Sequence, residues 1–338
     1  MTTPWPVHSG ELLLGDLVVQ HGHLYGARLA WKSYGTLSPA RDNVIVYPTS
    51  YSARDTDLEW LIGPDRILDP TRYFIVIPNM FGNGVSSSPT NTPGYPKLVT
   101  SWDNVQAQRR LLRDQWGIER VACVYGFSMG AQQAYHWGAA FPDEVERVVA
   151  VCGTARTSVH NKVFLLGLQA ILEASPEYLY DGQFTGEPRE AMRAFARNYA
   201  AWALSQDFYR ENLHLSALGA PDLDTFLRTD WEERMGQKPA ANMYAQLKTW
   251  EHGDSSANPL YEGDLERALN AIEARVLLLP SETDLYFRVA DNAAELPHLR
   301  HAEMRPIPSV WGHRAGAPSA NLVDETFIRD AVRAWLDG

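Results

Sequence analysis

Ser128 stands between two glycines in the run VYGFSMGAQQAYHW, at the GxSxG spacing of a nucleophilic serine. A serine so placed sits on a sharp strand-to-helix turn. A side chain two positions before or after would strike neighbouring backbone, and Gly126 and Gly130 remove that clash. Residues 121–125 (VACVY) form the compact β-prone run of a strand buried on both faces. Residues 131–137 (AQQAYHW) avoid glycine and proline and open with residues a helix accepts easily. This order aims the amides at the helix N-terminus, Met129 first, toward an oxyanion formed beside Ser128. A tight turn carrying an incidental serine is the competing reading.

A serine hydroxyl attacks only when a base removes its proton, so an orienting carboxylate and a histidine are expected further along, in that order. Asp284, in PSETDLYF, lies a few residues beyond the strand-like RVLLL at 275–279. Glu282 is the alternative acid, nearer the strand end. His313, in WGHRAG, lies in a glycine-flanked loop before the last helix. The other histidines fit structural places: His21 and His23 near an early strand, His136 packed on the helix after Ser128, His160, His214 and His252 in a helical region, and His298 and His301 solvated. The second oxyanion donor is expected in YPTSYSAR (residues 47–54), at the Thr49 amide with Ser50 as runner-up, paired with Met129.

The elements that must position these residues alternate as βαβ units of a mostly parallel sheet. Strands are predicted at 44–47, 73–78, 121–125, 148–152 and 275–279, preceded by a hairpin at 12–20 and 27–34. Helices are predicted at 102–115 and 324–336. Between Cys152 and Arg275 the alternation stops, and helices are predicted at 164–174, 188–209, 223–235 and 240–250. The arrangement implies an α/β-hydrolase core over residues 1–156 and 272–338, with residues 157–271 as an inserted all-helical lid over the strand ends.

A chain of 338 residues with 45% hydrophobic content can bury a large core. The net charge of −11 and the lack of a basic run argue against a nucleic-acid partner. No stretch has the apolar length of a membrane span, and a cytoplasmic location is the expectation. Cys123 and Cys152 lie in apolar runs and read as reduced core residues without metal-ligand spacing, so neither a metal nor a cofactor is expected.

Beyond these patterns, residues 59–91 (EWLIGPDRILDPTRYFIVIPNMFGNGVSSSPTN), 103–112 (DNVQAQRRLL), 126–149 (GFSMGAQQAYHWGAAFPDEVERVV), TDLYF at 283–287 and the pair Gly312-His313 resemble the homoserine O-acetyltransferase family. The resemblance implies an α/β-hydrolase fold with a helical lid, acyl transfer through Ser128, Asp284 and His313, and a homodimer. It also places Arg197 at the family's lid arginine that grips a substrate carboxylate. Three positions depart from the family pattern: Arg314 stands where an aspartate takes the homoserine amino group, Leu204 where a tyrosine is expected, and Phe127 where glycine is usual. A cation at position 314 repels an ammonium group. Arg197 and Arg314 are therefore candidates for binding a carboxylated substrate. The leading expectation is hydrolysis of a small acetyl-type ester through an acyl-Ser128 intermediate. Transfer from acyl-CoA, as co-substrate, to a small hydroxylated acceptor is the alternative, and a binding protein that keeps the fold without chemistry is the third reading.

Overall fold

The computed structural model describes residues 4–338. Eight strands form one sheet: β1 (Val7–Val19), β2 (Gly22–Tyr34), β3 (Val44–Val46), β4 (Phe74–Pro78), β5 (Cys123–Phe127), β6 (Arg147–Val151), β7 (Arg275–Leu279) and β8 (Ala302–Met304). Their order is β1-β2-β4-β3-β5-β6-β7-β8. The first hairpin pairs antiparallel internally and with β4, and every other neighbouring pair is parallel. Strand side chains alternate between two apolar layers, as the period of two requires. Ile45, Ile75, Ile77, Val149, Val151, Leu277 and Leu279 face one layer, while Val44, Val46, Phe74, Val76, Val148, Ala150, Val276 and Leu278 face the other. Burial on both faces explains why these strands are continuous apolar runs.

Helix α1 (Ser101–Trp116) and helix α2 (Met129–Ala140) cover the second layer, through Val105 and Leu111 of α1 and Ala134, Tyr135 and Trp137 of α2. The Thr100 side chain caps α1 by accepting from the Asp103 amide, and Gly117 closes it in a left-handed conformation at φ 63°. Helices α3 (Val159–Glu173), α4 (Arg189–Ala203), α5 (Gln206–Arg210), α6 (Leu213–Ser216), α7 (Leu223–Phe226), α8 (Glu233–Gly236), α9 (Ala240–Glu251) and α10 (Leu265–Asn270) lie between β6 and β7. Helices α11 (Val289–Glu295) and α12 (Leu322–Asp337) follow β7. Among the described residues no helix is long and apolar enough to cross a membrane.

Two boundaries near the site differ from the sequence reading. The strand before Ser128 runs to Phe127 instead of Tyr125, because pairing with β6 continues through Phe127 and Val151, while Val121 makes only an isolated bridge to Val145. The helix expected over 188–209 breaks at Leu204. There Ser205 restarts α5 by accepting from the Phe208 amide at 3.0 Å, and a side chain at Gly312 would meet the Ser205 amide at 2.8 Å. Ala268 and Leu269 of α10 share a core layer with Tyr135 of α2 and Ile272. One wide π turn, Leu227–Glu232, joins α7 to α8.

Candidate active site

Strand β5 delivers the chain to Ser128 at φ 57° and ψ −125°, a conformation L-residues adopt at a cost of about 1–2 kcal/mol. The surroundings hold it there. The Ser128 amide donates to the Val151 carbonyl at 3.0 Å, and its carbonyl accepts from Ala131 at 2.9 Å and Gln132 at 3.2 Å. A side chain at Gly126 would run into the backbone of Gly130, and one at Gly130 would lie 2.7 Å from the Pro48 carbonyl. Both glycines of the motif are therefore sterically required, as the spacing predicted.

The base and the acid arrive on separate loops. His313 Nε2 lies 2.9 Å from Ser128 Oγ, and His313 Nδ1 lies 2.7 Å from Asp284 Oδ2. The other Asp284 oxygen accepts from the Tyr286 amide at 2.7 Å and the Phe287 amide at 3.2 Å, which fixes the carboxylate plane. Thr283 ties the two loops together: its hydroxyl donates to the Ser309 carbonyl at 2.7 Å and accepts from the Gly312 amide at 3.1 Å. The imidazole is packed among Phe127, Tyr286 and Phe287, with ring centroids 4.8, 4.9 and 5.7 Å away. Ser128, Asp284 and His313 are 3%, 4% and 6% exposed, so their hydrogen bonds operate in a water-poor setting. Glu282, the competing acid, is exposed.

Ser50 latches the loop after β3 onto the nucleophile turn. Its hydroxyl donates to the Phe127 carbonyl and accepts from the Gly130 amide at 3.2 Å. Thr49 is bound on three sides: its amide donates to the Pro78 carbonyl at 3.3 Å, its hydroxyl accepts from Met80 at 2.9 Å, and its carbonyl accepts from Gln133 Nε2 at 3.0 Å. The amide bond is slightly longer than the usual length of about 2.7–3.2 Å for an N–H···O hydrogen bond. Met129 opens α2, with its amide at the positive end of the helix.

The two arginines separate. Arg197 is exposed, and its guanidinium binds two acids of the chain itself, Glu232 and, at 3.0 Å, Asp224. It lies on α4, and the sequence pattern could not show those two acids beside it. Arg314 is partly buried, its guanidinium carbon 5.9 Å from the Trp231 ring centre.

Among the described residues, the one group of three or more side chains that could chelate a metal is Cys152, Asp284 and His313, whose ligand atoms lie within 4.8 Å of one another. Burial pushes the Cys152 thiol well up, which keeps it protonated, and the other two bond to each other. The group therefore fits a base and its acid better than an ion.

Sequence reasoning passed over Glu295 on α11. Buried, it accepts from Tyr135 Oη at 2.8 Å, the Ala155 amide at 2.7 Å and Asn292 Nδ2 at 3.0 Å. Desolvation pushes its carboxyl up to about 7. It braces the turn after β6, where a side chain at Gly153 would lie 2.9 Å from the Ser128 carbonyl. An acid on a short polar helix carries no sequence signal that marks it as buried.

The fold and this hydrogen-bonded Ser–His–Asp chain define an enzyme class, the α/β-hydrolases. Comparison with known proteins agrees: the alpha/beta hydrolase fold family matches residues 62–313, and the chain belongs to that family. A probable esterase of Corynebacterium glutamicum is 34% identical over 294 residues, covering 84% of this chain and 83% of that protein. An ethyl acetate hydrolase of Pseudomonas veronii is 34% identical over 311 residues, covering 89% and 87%. A homoserine O-acetyltransferase of Rhodospirillum rubrum is 27% identical over 374 residues, covering 99% and 90%. The structure of the acetyl esterase MekB superposes with a TM-score of 0.92 at 30% identity, covering 99% of this chain and 97% of that one. The protein is thus a divergent esterase or acyltransferase member of the fold, related both to acetyl esterases and to homoserine acyltransferases.

Proposed function

We propose that the protein hydrolyses small acetyl-type esters in two steps through an acyl group on Ser128. The observation that carries this reading is the 2.9 Å contact from His313 Nε2 to Ser128 Oγ, with Asp284 behind the imidazole. Asp284 accepts the Nδ1–H and so leaves Nε2 free to take the serine proton. The Ser128 oxygen attacks the ester carbonyl, and the negative oxygen forms against the amides of Met129 and Thr49. The C–O bond to the alcohol breaks as His313 Nε2 returns the proton to the leaving oxygen. Water, deprotonated by the same nitrogen, then attacks the acyl carbon and releases the acid and Ser128.

Esters of acetate are the favoured substrates because the similar proteins named by activity include an ethyl acetate hydrolase and an acetyl esterase. Transfer from acyl-CoA to a hydroxylated acceptor is the second reading, favoured by the likeness to a homoserine O-acetyltransferase. Acetate release from ethyl acetate, followed by titration, is expected to proceed without any acceptor. CoA release from acetyl-CoA only when a hydroxyl acceptor is present, with ethyl acetate untouched, would reverse the choice.

A further inference from the structure

We infer that Arg314 and Trp231 form a subsite for a carboxylate carried by the ester substrate, so that singly charged esters are preferred over neutral ones of the same size. The inference rests on the reading of the protein as an ester hydrolase and names the substrate class of that site.

Three observations converge on it. Arg314 directly follows the base in the turn Gly312–Gly316, yet among the described residues no carboxylate, carbonyl or hydroxyl accepts a hydrogen bond from its guanidinium. Arg156, Arg193 and Arg197, by contrast, are each held by an acid. Trp231, beneath that guanidinium, is 7% exposed, and its Nε1–H also lacks an acceptor. Guanidinium and indole N–H groups donate and never accept, so what this corner lacks is a partner that only accepts, such as a carboxylate. The third observation is the backbone: Trp231 lies in the π turn Leu227–Glu232, a wide turn found frequently at functional sites.

The surrounding charges leave room for an anion. Asp230 is the nearby acid and Arg234 a second nearby cation, while Tyr209 supplies a phenol. Arg234 enters no ion pair among the described residues, so the corner keeps an excess of positive charge. Desolvation, with Arg234 adding to it, pulls the Arg314 pKa below its ordinary value, the sign of a cation short of counter-charge. The corner is joined to the base by a chain of packed rings. Trp231 packs on Tyr199 at 6.0 Å, Tyr199 on Tyr286 at 5.8 Å, and Tyr286 on His313 at 4.9 Å between ring centres. Arg193 and Arg197 both clamp Glu232, the residue after Trp231, and so hold the turn that carries the indole.

The test compares kcat/KM at pH 7.5 for two matched pairs of esters. Monoethyl succinate against ethyl pentanoate places the charge on the acyl side, and acetoxyacetate against propyl acetate places it on the alcohol side. In the wild-type enzyme the charged member is expected to win in at least one pair, on the order of 10- to 100-fold, as charged hydrogen bonds imply. The charged-to-neutral ratio falls toward one in Arg314→Gln, falls partly in Trp231→Phe, and is partly kept in Arg314→Lys. A wild-type ratio of one or less in both pairs, with the neutral esters turned over, overturns the carboxylate subsite and leaves the hydrolase reading standing. A ratio that survives Arg314→Gln unchanged also overturns it. Turnover of none of the four esters sinks the hydrolase reading itself, and the subsite with it.

Discussion

Removing one hydroxyl, in Ser50→Ala, tests how the nucleophile turn is held. Ser50 is 5% exposed and its oxygen bridges two backbone groups of that turn, the Phe127 carbonyl and the Gly130 amide. Alanine keeps the loop but strands both groups. A buried polar group left without its partner costs about 1–3 kcal/mol. Only the Gly130 amide is fully buried, so the expected loss is about 2–3 kcal/mol, not the sum of two full penalties. For a chain of this length that is a fall in Tm of roughly 3–4 °C, from the usual unfolding entropy per residue. The same bridge ties the loop that carries Thr49 to the turn that carries Met129, the two proposed oxyanion donors. Deleting an oxyanion donor outright costs about 100- to 1000-fold in kcat, so loosening the pair should cost about 10- to 100-fold, with KM little changed. Urea unfolding and steady-state hydrolysis of ethyl acetate, on the same preparations, read both effects. A variant with wild-type midpoint and wild-type kcat would show that the hydroxyl is not what joins the loop to the turn.

Other substitutions probe other joints. Asp284→Asn keeps the volume but offers His313 Nδ1 the wrong partner, and kcat on ethyl acetate should drop by about 10⁴ with little change in KM; a drop below tenfold contradicts the assignment. Arg197→Ala should leave kcat on ethyl acetate at the wild-type level, since its contacts are Glu232 and Asp224; a large loss of kcat would restore it to the site. Glu295 predicts a pH dependence. Its carboxyl is raised from 4.5 to about 7, so the native state binds the proton more tightly than the unfolded one. The resulting stability is fully present below pH 4.5 and is lost as pH rises through about 7, by on the order of 3 kcal/mol. Urea midpoints between pH 5 and 8 should show this decline in the wild type and not in Glu295→Gln; parallel curves would contradict the assignment.

The reaction class was legible in the sequence because the constraint that makes it is local. Only glycine fits at positions 126 and 130, and the apolar runs on either side have to be a strand and a helix for the turn to exist. Asp284 and His313 were legible by order and by the strand end or glycine beside them, although 29 residues separate the two in the chain. What sequence could not reveal depends on which side chains meet across the fold. Arg197 matched a family position, but its fate is set by Glu232 and Asp224, which lie 35 and 27 residues further along the chain. The break at Leu204 falls where the chain packs against the backbone of Gly312, more than a hundred residues away, and Ser205 caps the helix that follows. Nothing in the sequence around Glu295 marks it as buried, and Tyr135, Asn292 and Ala155 closing round it make it so.

The central claim is a covalent acyl group on Ser128, and rapid-quench mass spectrometry of the enzyme during turnover of p-nitrophenyl acetate tests it most directly. A transient acetyl group is expected on the peptide containing Ser128, formed in a burst with nitrophenol and absent in Ser128→Ala, which should also lose turnover. Full turnover by Ser128→Ala, or a kinetically competent acetyl group on any other residue, would contradict it.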